Sequence, residues 1–256
     1  MPQYFYLSVQ STDVGFEMGL NDVPVISDPQ GRGVITDEPM NRWIRPEKNR
    51  FTLYLFWPPG KNYEPGLAEF KAKLFIADPN ADVPQPAEEL ATFEWPPPEE
   101  DYPHQYEEEI EIDDPPPQSL WSEAESVEEL SERDEREILA LVHKLHSHLT
   151  AGEAQGALEM LDYRYTEEAR SEGKDPARIR EVALQQYKWL MDRGALEGQM
   201  LQPEEAAFVL AADGQIVCVR RNDGRPPIVL DQPEKNTRFS VEVYAARISD
   251  EWLIVR

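Results

Sequence analysis

Between Lys73 and Arg133 the chain has no lysine or arginine, yet the same 59 residues hold 19 aspartates and glutamates. The formal charge of the whole chain is −25, so everything but −6 resides in that one segment. Like charges at this density repel each other and call for water, counterions or a basic partner. They disfavour nucleic acid and anionic membranes as partners. Cysteine is nearly missing as well: Cys218 stands alone, which excludes an internal disulfide and suits a reducing, cytoplasmic setting. No apolar run approaches the roughly 18 residues that a membrane helix needs. The opening stretch MPQYFYLSVQ lacks a basic n-region, an apolar h-region and a cleavage site, so no secretory signal is expected. No phosphate loop, dinucleotide fingerprint, nucleophile elbow or H-E-x-x-H occurs.

Against those absences stands a composition fit for a packed core, with 40% apolar residues in 256. That length suits one large domain or two of ordinary size. Up to residue 95 the pattern is that of strands. Phe5, Leu7 and Val9 alternate onto one face, and FTLYLFW (51–57) and FKAKLFIA (70–77) are β-rich runs bounded by Pro, Gly and Asn. Asp28–Gly31 and Pro46–Asn49 read as turns. Trp43 reads as a core plug, and Trp57, before two prolines, ends its strand. Short strands at regular spacing without a helical period predict a β-sandwich over 1–95.

Residues 96–125 read as an acidic, Pro-rich connector. Prolines at 96–98 and 115–117 favour stiff extended geometry. Within it, Ile110 and Ile112 share one face, as in a charged edge strand. The other reading of the segment is a recognition surface, made of Glu99, Glu100, Asp101, Glu107, Glu108, Glu109, Glu111, Asp113 and Asp114.

From residue 126 the period becomes helical. Ser126 and Glu129 form a capping box, and Val127, Leu130, Ile138, Leu141, Val142, Leu145 and Leu149 follow at helical spacing. A second helix carries Ala154, Ala157, Leu158, Leu161 and Tyr165. A third starts at Asp175 and Pro176, with Ile179, Val182, Ala183, Leu190 and Met191 on its apolar face, and stops at Gly194. Strands at 206–212 and 215–221 flank Asp213-Gly214, a two-residue hairpin signal. A long strand over 238–248 turns at Ser249-Asp250 into 251–255. Three helices followed by an antiparallel meander predict an α+β fold.

This element order, with the closing pair YAARISDEWLIVR, resembles the NTF2-like (cystatin-like cone) superfamily over residues 126–256. The resemblance implies three helices on a curved antiparallel sheet, and a domain that acts as a pocketed enzyme, a binding module or a dimerisation module.

The candidate chemistry is sparse. His143, His146 and His148 cannot converge on one metal from a single helix, and read as surface residues beside a core stripe. Gln186, at the centre of the third helix's apolar stripe, is either a pocket liner or a buried amide satisfied by backbone. Asp162, Tyr163, Tyr165 and Tyr187 are the residue types of acid–base catalysis, but Asp162 flanks its stripe and Tyr163 faces away from it. Cys218, between Val217 and Val219, reads as a core residue. No catalytic residue, metal site or cofactor is therefore expected.

The overall character is similar to immunity proteins that neutralise bacterial polymorphic or type VI secreted toxins. It implies a cytoplasmic, non-enzymatic protein whose acidic strip meets a basic partner, a nuclease toxin above all. Two alternatives are an NTF2-like small-molecule-binding enzyme and an adaptor or chaperone for a secreted effector. A homodimer through the NTF2-like domain is compatible with each.

Overall fold

The computed structural model describes residues 3–58, 60, 68–78, 84–95, 103–113, 115–116, 123–171 and 173–256. The chain is α+β, with four α-helices and fourteen strands in antiparallel sheets among these residues. It divides into two compact units, Met1–Gln118 and Ser119–Arg256.

The first unit holds eight strands: β1 (Phe5–Thr12), β2 (Gly15–Leu20), β3 (Val23–Asp28), β4 (Val34–Pro39), β5 (Glu47–Phe56), β6 (Glu69–Ala77), β7 (Pro86–Trp95) and β8 (His104–Ile112). They form two four-stranded sheets, ordered β4-β1-β6-β7 and β3-β2-β5-β8. Alternation along each strand sends one set of side chains inward. Phe5, Leu7 and Val9 of β1 face the core, as do Phe16, Met18 and Leu20 of β2, and all six are buried. Aromatic rings join the two sheets: Phe16 meets Phe70 edge-on at 5.0 Å, and Phe51 lies 6.1 Å from Phe93. Trp43 is buried within this core.

The turn expected at Pro46–Asn49 lies earlier, where Trp43 N donates to Met40 O (2.8 Å). Asn49 is instead a buried strand residue, with an amide that does the work of backbone. Its Oδ1 accepts from Arg45 N (2.8 Å) and from Asn21 Nδ2 (3.0 Å), and its Nδ2 donates to Arg45 O (3.0 Å). Asn21 Nδ2 also donates to Trp43 O (2.9 Å), so a buried polar network holds the β4–β5 crossover.

The acidic segment is ordered where it is described. β8 pairs antiparallel with β5 along its whole length, from Glu47 opposite Ile112 to Leu55 opposite His104, and forms a sheet edge. Ile110 and Ile112 are buried on the inner face. Prolines 96–98 lie outside the described residues.

The second unit contains α1 (Glu132–Thr150), α2 (Ala154–Met160), α3 (Asp162–Ser171), α4 (Pro176–Met191), β9 (Ala206–Ala211), β10 (Ile216–Arg221), β11 (Ile228–Gln232), β12 (Thr237–Val241), β13 (Val243–Ile248) and β14 (Glu251–Ile254). A four-stranded sheet is ordered β14-β13-β10-β9, and β11 pairs with β12 in a separate ribbon. Ile138, Val142 and Leu145 of α1 share one core with Val217, Val219, Ala245 and Ile254 of the sheet. These side chains pack α1 against the sheet.

Four local expectations change. The capping box belongs to Ser131 and Asp134, and α1 begins at Glu132. Ser126 is diverted: its Oγ donates to Asp213 O (2.6 Å), while Val127 N donates to Gly214 O (3.0 Å). The second helix breaks at Leu161 into α2 and α3. The β9–β10 loop spans four residues, since Ala211 pairs with Ile216. The long strand breaks at Glu242, because β12 pairs with β11 whereas β13 pairs with β10 and β14.

Gly214 is where the entry segment and the hairpin lock together. Its φ is +79°, and a Cβ there would lie 2.3 Å from Val127 O. Gly224 has a similar φ of +81° with nothing within 4 Å of such a Cβ. Gly224→Ala should therefore cost only the left-handed penalty, about 1–2 kcal/mol. Gly214→Ala should cost clearly more, because the Val127 backbone must also move. Denaturant melts of the two variants check this; equal losses would show that the close approach carries no energy.

Candidate functional site

Two surfaces concentrate functional side chains, one in each unit. The first is the β8 edge. Its outward residues Glu107 and Glu109 lie opposite Thr52 and Arg50. Lys48 Nζ donates to Glu109 Oε2 (2.8 Å), and Arg50 lies 3.6 Å from Glu107 while also pairing with Asp22. The hydrogen bond to Lys48 and its charge hold the Glu109 carboxyl below the usual range. The same device operates on β7, where Lys71 pairs with Glu94 and Lys73 with Glu89. The linear charge void is thus partly filled from the side by paired strands. Glu108, Glu111 and Asp113 form no ion pair among the described residues, although Glu111 lies opposite Lys48 and Glu108 is half-buried on the side of Ile110; counting Asp22, six carboxylates meet two cations here. Glu99, Glu100, Asp101 and Asp114 lie outside the described residues.

The second surface is a groove of about 1140 Å³ between α3, α4 and Phe239 of β12. Tyr165 and Ala183 form its buried floor. Tyr165 Oη donates to Tyr187 Oη (3.2 Å), and burial pushes the Tyr165 phenol well above its ordinary value. Val182, expected on the apolar core-facing stripe, is 47% exposed, and Trp189 beside it is 59% exposed. The α4 stripe expected to be buried is therefore divided: Ala183 faces the core, and Val182 faces the groove. Gln186 is exposed on the groove lining and is not a buried amide. The buried amide satisfied by backbone is Gln232, whose Nε2 donates to Leu190 O (3.1 Å) and Gly194 O (3.0 Å) and ties the end of α4 to β11.

The acid–base candidates do not converge. Asp162 is exposed and held by Arg180, whose Nη2 donates to Oδ2 (2.9 Å) and to Thr166 Oγ1 (2.7 Å). Tyr163 is half-buried, and desolvation raises its phenol to about 12. Cys218 is buried in β10. Among the described residues, no group of three or more His, Cys, Asp or Glu is placed to hold a metal. No helix among them is long and apolar enough to cross a membrane.

Comparison of the chain with protein-family models, with curated proteins and with solved structures gave no match.

The three histidines occupy three environments. His143 Nε2 donates to Leu201 O (2.7 Å), and His148 Nδ1 lies 2.6 Å from Glu153 Oε2. His146, expected on the surface, is 6% exposed and belongs to the buried face of α1. Neither of its ring nitrogens makes a well-formed hydrogen bond. Desolvation lowers its pKa; the nearby Gly198 backbone offsets only part of this, and His143 and Arg221 add to the depression. The unfolded chain therefore binds a proton there before the folded chain does. The neutral His146 contributes stability that is fully present above the unfolded value of about 6.5 and is lost as pH falls through the lower folded value. Relative to His146→Leu, the wild type should lose up to about 1.4 kcal/mol per pH unit below pH ~6.5. Parallel melting curves of the two proteins from pH 8 to 5 would refute this.

Proposed function

We propose that the chain is a non-enzymatic immunity protein, formed by a β-sandwich and an NTF2-like domain, that binds and neutralises a basic, nuclease-type toxin in the cytoplasm. The observation that carries this reading is the acidic edge of β8. Nuclease toxins must bind phosphate and so present basic clefts, and an edge with six carboxylates against two cations complements such a cleft. The edge is also rigid. Cross-strand pairing and the buried Ile110 and Ile112 fix its backbone, so little ordering cost attends binding. Its outer backbone groups have no strand partner in the sheet, which leaves main-chain hydrogen bonds to supplement charge.

Neutralising only the carboxylates without cationic partners separates recognition from folding. The variant Glu108→Gln, Glu111→Gln, Asp113→Asn leaves the Lys48–Glu109 and Arg50–Glu107 pairs in place. Its association rate with the toxin captured from the source cells should fall roughly tenfold at low salt, since steering of this kind changes on-rates by 10–10³. The salt dependence should flatten as well, and the melting temperature should hold. Cells expressing the toxin should lose protection in parallel. Wild-type rate and salt slope in the triple variant would place recognition elsewhere on the chain.

A further inference from the structure

The groove of the second unit has a composition that the acidic edge does not explain. Its long wall is α4, and from Arg178 to Trp189 the helix runs about 16 Å, the length of a medium-chain alkyl tail. Ile179, Val182, Trp189 and Leu190 line this wall, with Phe239 also in the lining. Among the described residues, three cations, Arg164, Lys174 and Arg178, line the same groove with two carboxylates, Glu168 and Asp175, and Lys174 is itself engaged in an interaction. Asp175 is already engaged, since its Oδ1 accepts from Ala177 N (3.0 Å) as the N-cap of α4.

Two features point to an anion. Acids outnumber bases 50 to 25 in this chain, so a surface arginine has abundant possible partners. Arg178 nevertheless has no ion-pair partner among the described residues. Arg164 sits with its guanidinium 5.8 Å from the Tyr165 ring centroid, and its Nε is buried without a hydrogen-bond partner. The positive end of the α4 dipole lies at the same end of the helix as Arg178 and favours negative charge there. At about 1140 Å³ the groove lies just above the roughly 300–1,000 Å³ of small-ligand sites, and it joins an apolar wall to a charged end, the division an amphipathic ligand requires.

We propose that this groove binds a single small amphipathic carboxylate, its alkyl or aryl body along α4 between Ile179 and Trp189 and its carboxylate at Arg178. The site is separate from the packed space between α1 and the four-stranded sheet. It is independent of toxin binding at β8.

The test is calorimetric titration of the full chain with sodium decanoate below its micellar concentration, with acetate and decyltrimethylammonium as comparators. Decanoate should bind at one saturable site. Acetate should not bind, because it lacks the apolar body. The cationic amphiphile should bind more weakly than decanoate despite the net charge of −25. Arg178→Gln should weaken decanoate at least fivefold and Arg178→Lys much less. Val182→Glu should abolish binding by filling the groove with charge. Both positions are exposed, so melting temperatures should stay at the wild-type value, and decanoate should perturb tryptophan emission in the wild type but not in Trp189→Phe. The proposal is overturned by absence of saturable decanoate binding, by unchanged affinity in both the Arg178→Gln and Val182→Glu variants, or by stronger binding of the cationic amphiphile. A concentration-dependent dimer in sedimentation that Val182→Glu abolishes would also overturn it, by making a second copy of the chain the occupant.

Discussion

The antiparallel pairing of β5 with β8 sets most of what the first unit can be. One register places Ile110 and Ile112 in the core and brings Lys48 and Arg50 alongside Glu109 and Glu107. A slip of one residue would reverse both outcomes, burying glutamates and exposing isoleucines. The exposed ion pairs contribute little each. Their greater effect is on specificity, because a segment so rich in carboxylates would be repelled from any strand lacking cations at these positions.

The second unit solves a different problem, that of joining an irregular entry segment to a regular hairpin. Val127 docks against Gly214, and Glu125 accepts from Arg247 Nε (2.7 Å) and Asp250 N (3.1 Å). Trp252 Nε1 donates to Asp134 Oδ1 (3.1 Å), so the carboxylate in the capping box of α1 also receives the β14 indole. These partly exposed polar groups each meet a specific partner, and together they fix where α1 begins.

Much of the architecture was legible in the residues. Alternation located β1, β6 and the buried isoleucines of β8, the helical period located α1 and α4, and Ser249-Asp250 marked its turn through two residues that tolerate positive φ. What escaped were choices made by distant partners. The capping box expected at Ser126 and Glu129 forms instead at Ser131 and Asp134, because Ser126 is taken by Asp213, 87 residues away. Asn49 looks like a turn residue until its amide meets Arg45 and Asn21 inside the core. The candidate sites were harder still. The acids of β8 were visible, but their neutralising cations lie 57 or more residues earlier in the chain. The spacing of Ile179, Val182 and Leu190 shows an apolar stripe without showing whether anything covers it. His146 falls on the core side of α1, although the flanking His143 and His148 made a surface assignment natural.

The β5–β8 pairing also bears on the order in which the chain is made. As synthesis proceeds, β5 emerges long before β8, and everything from Trp57 to Pro103 must follow before the sheet is complete. During that interval β5 offers an open edge that carries Lys48 and Arg50 and flanks an apolar hollow awaiting Ile110 and Ile112. Unpaired edges of this kind invite pairing with other chains. The two cations limit the hazard, since they repel the same edge on a neighbouring nascent chain while attracting the acidic strand that follows. Within this strand pair the cationic partner is made first and the acidic partner last, and the sheet closes only when the second arrives.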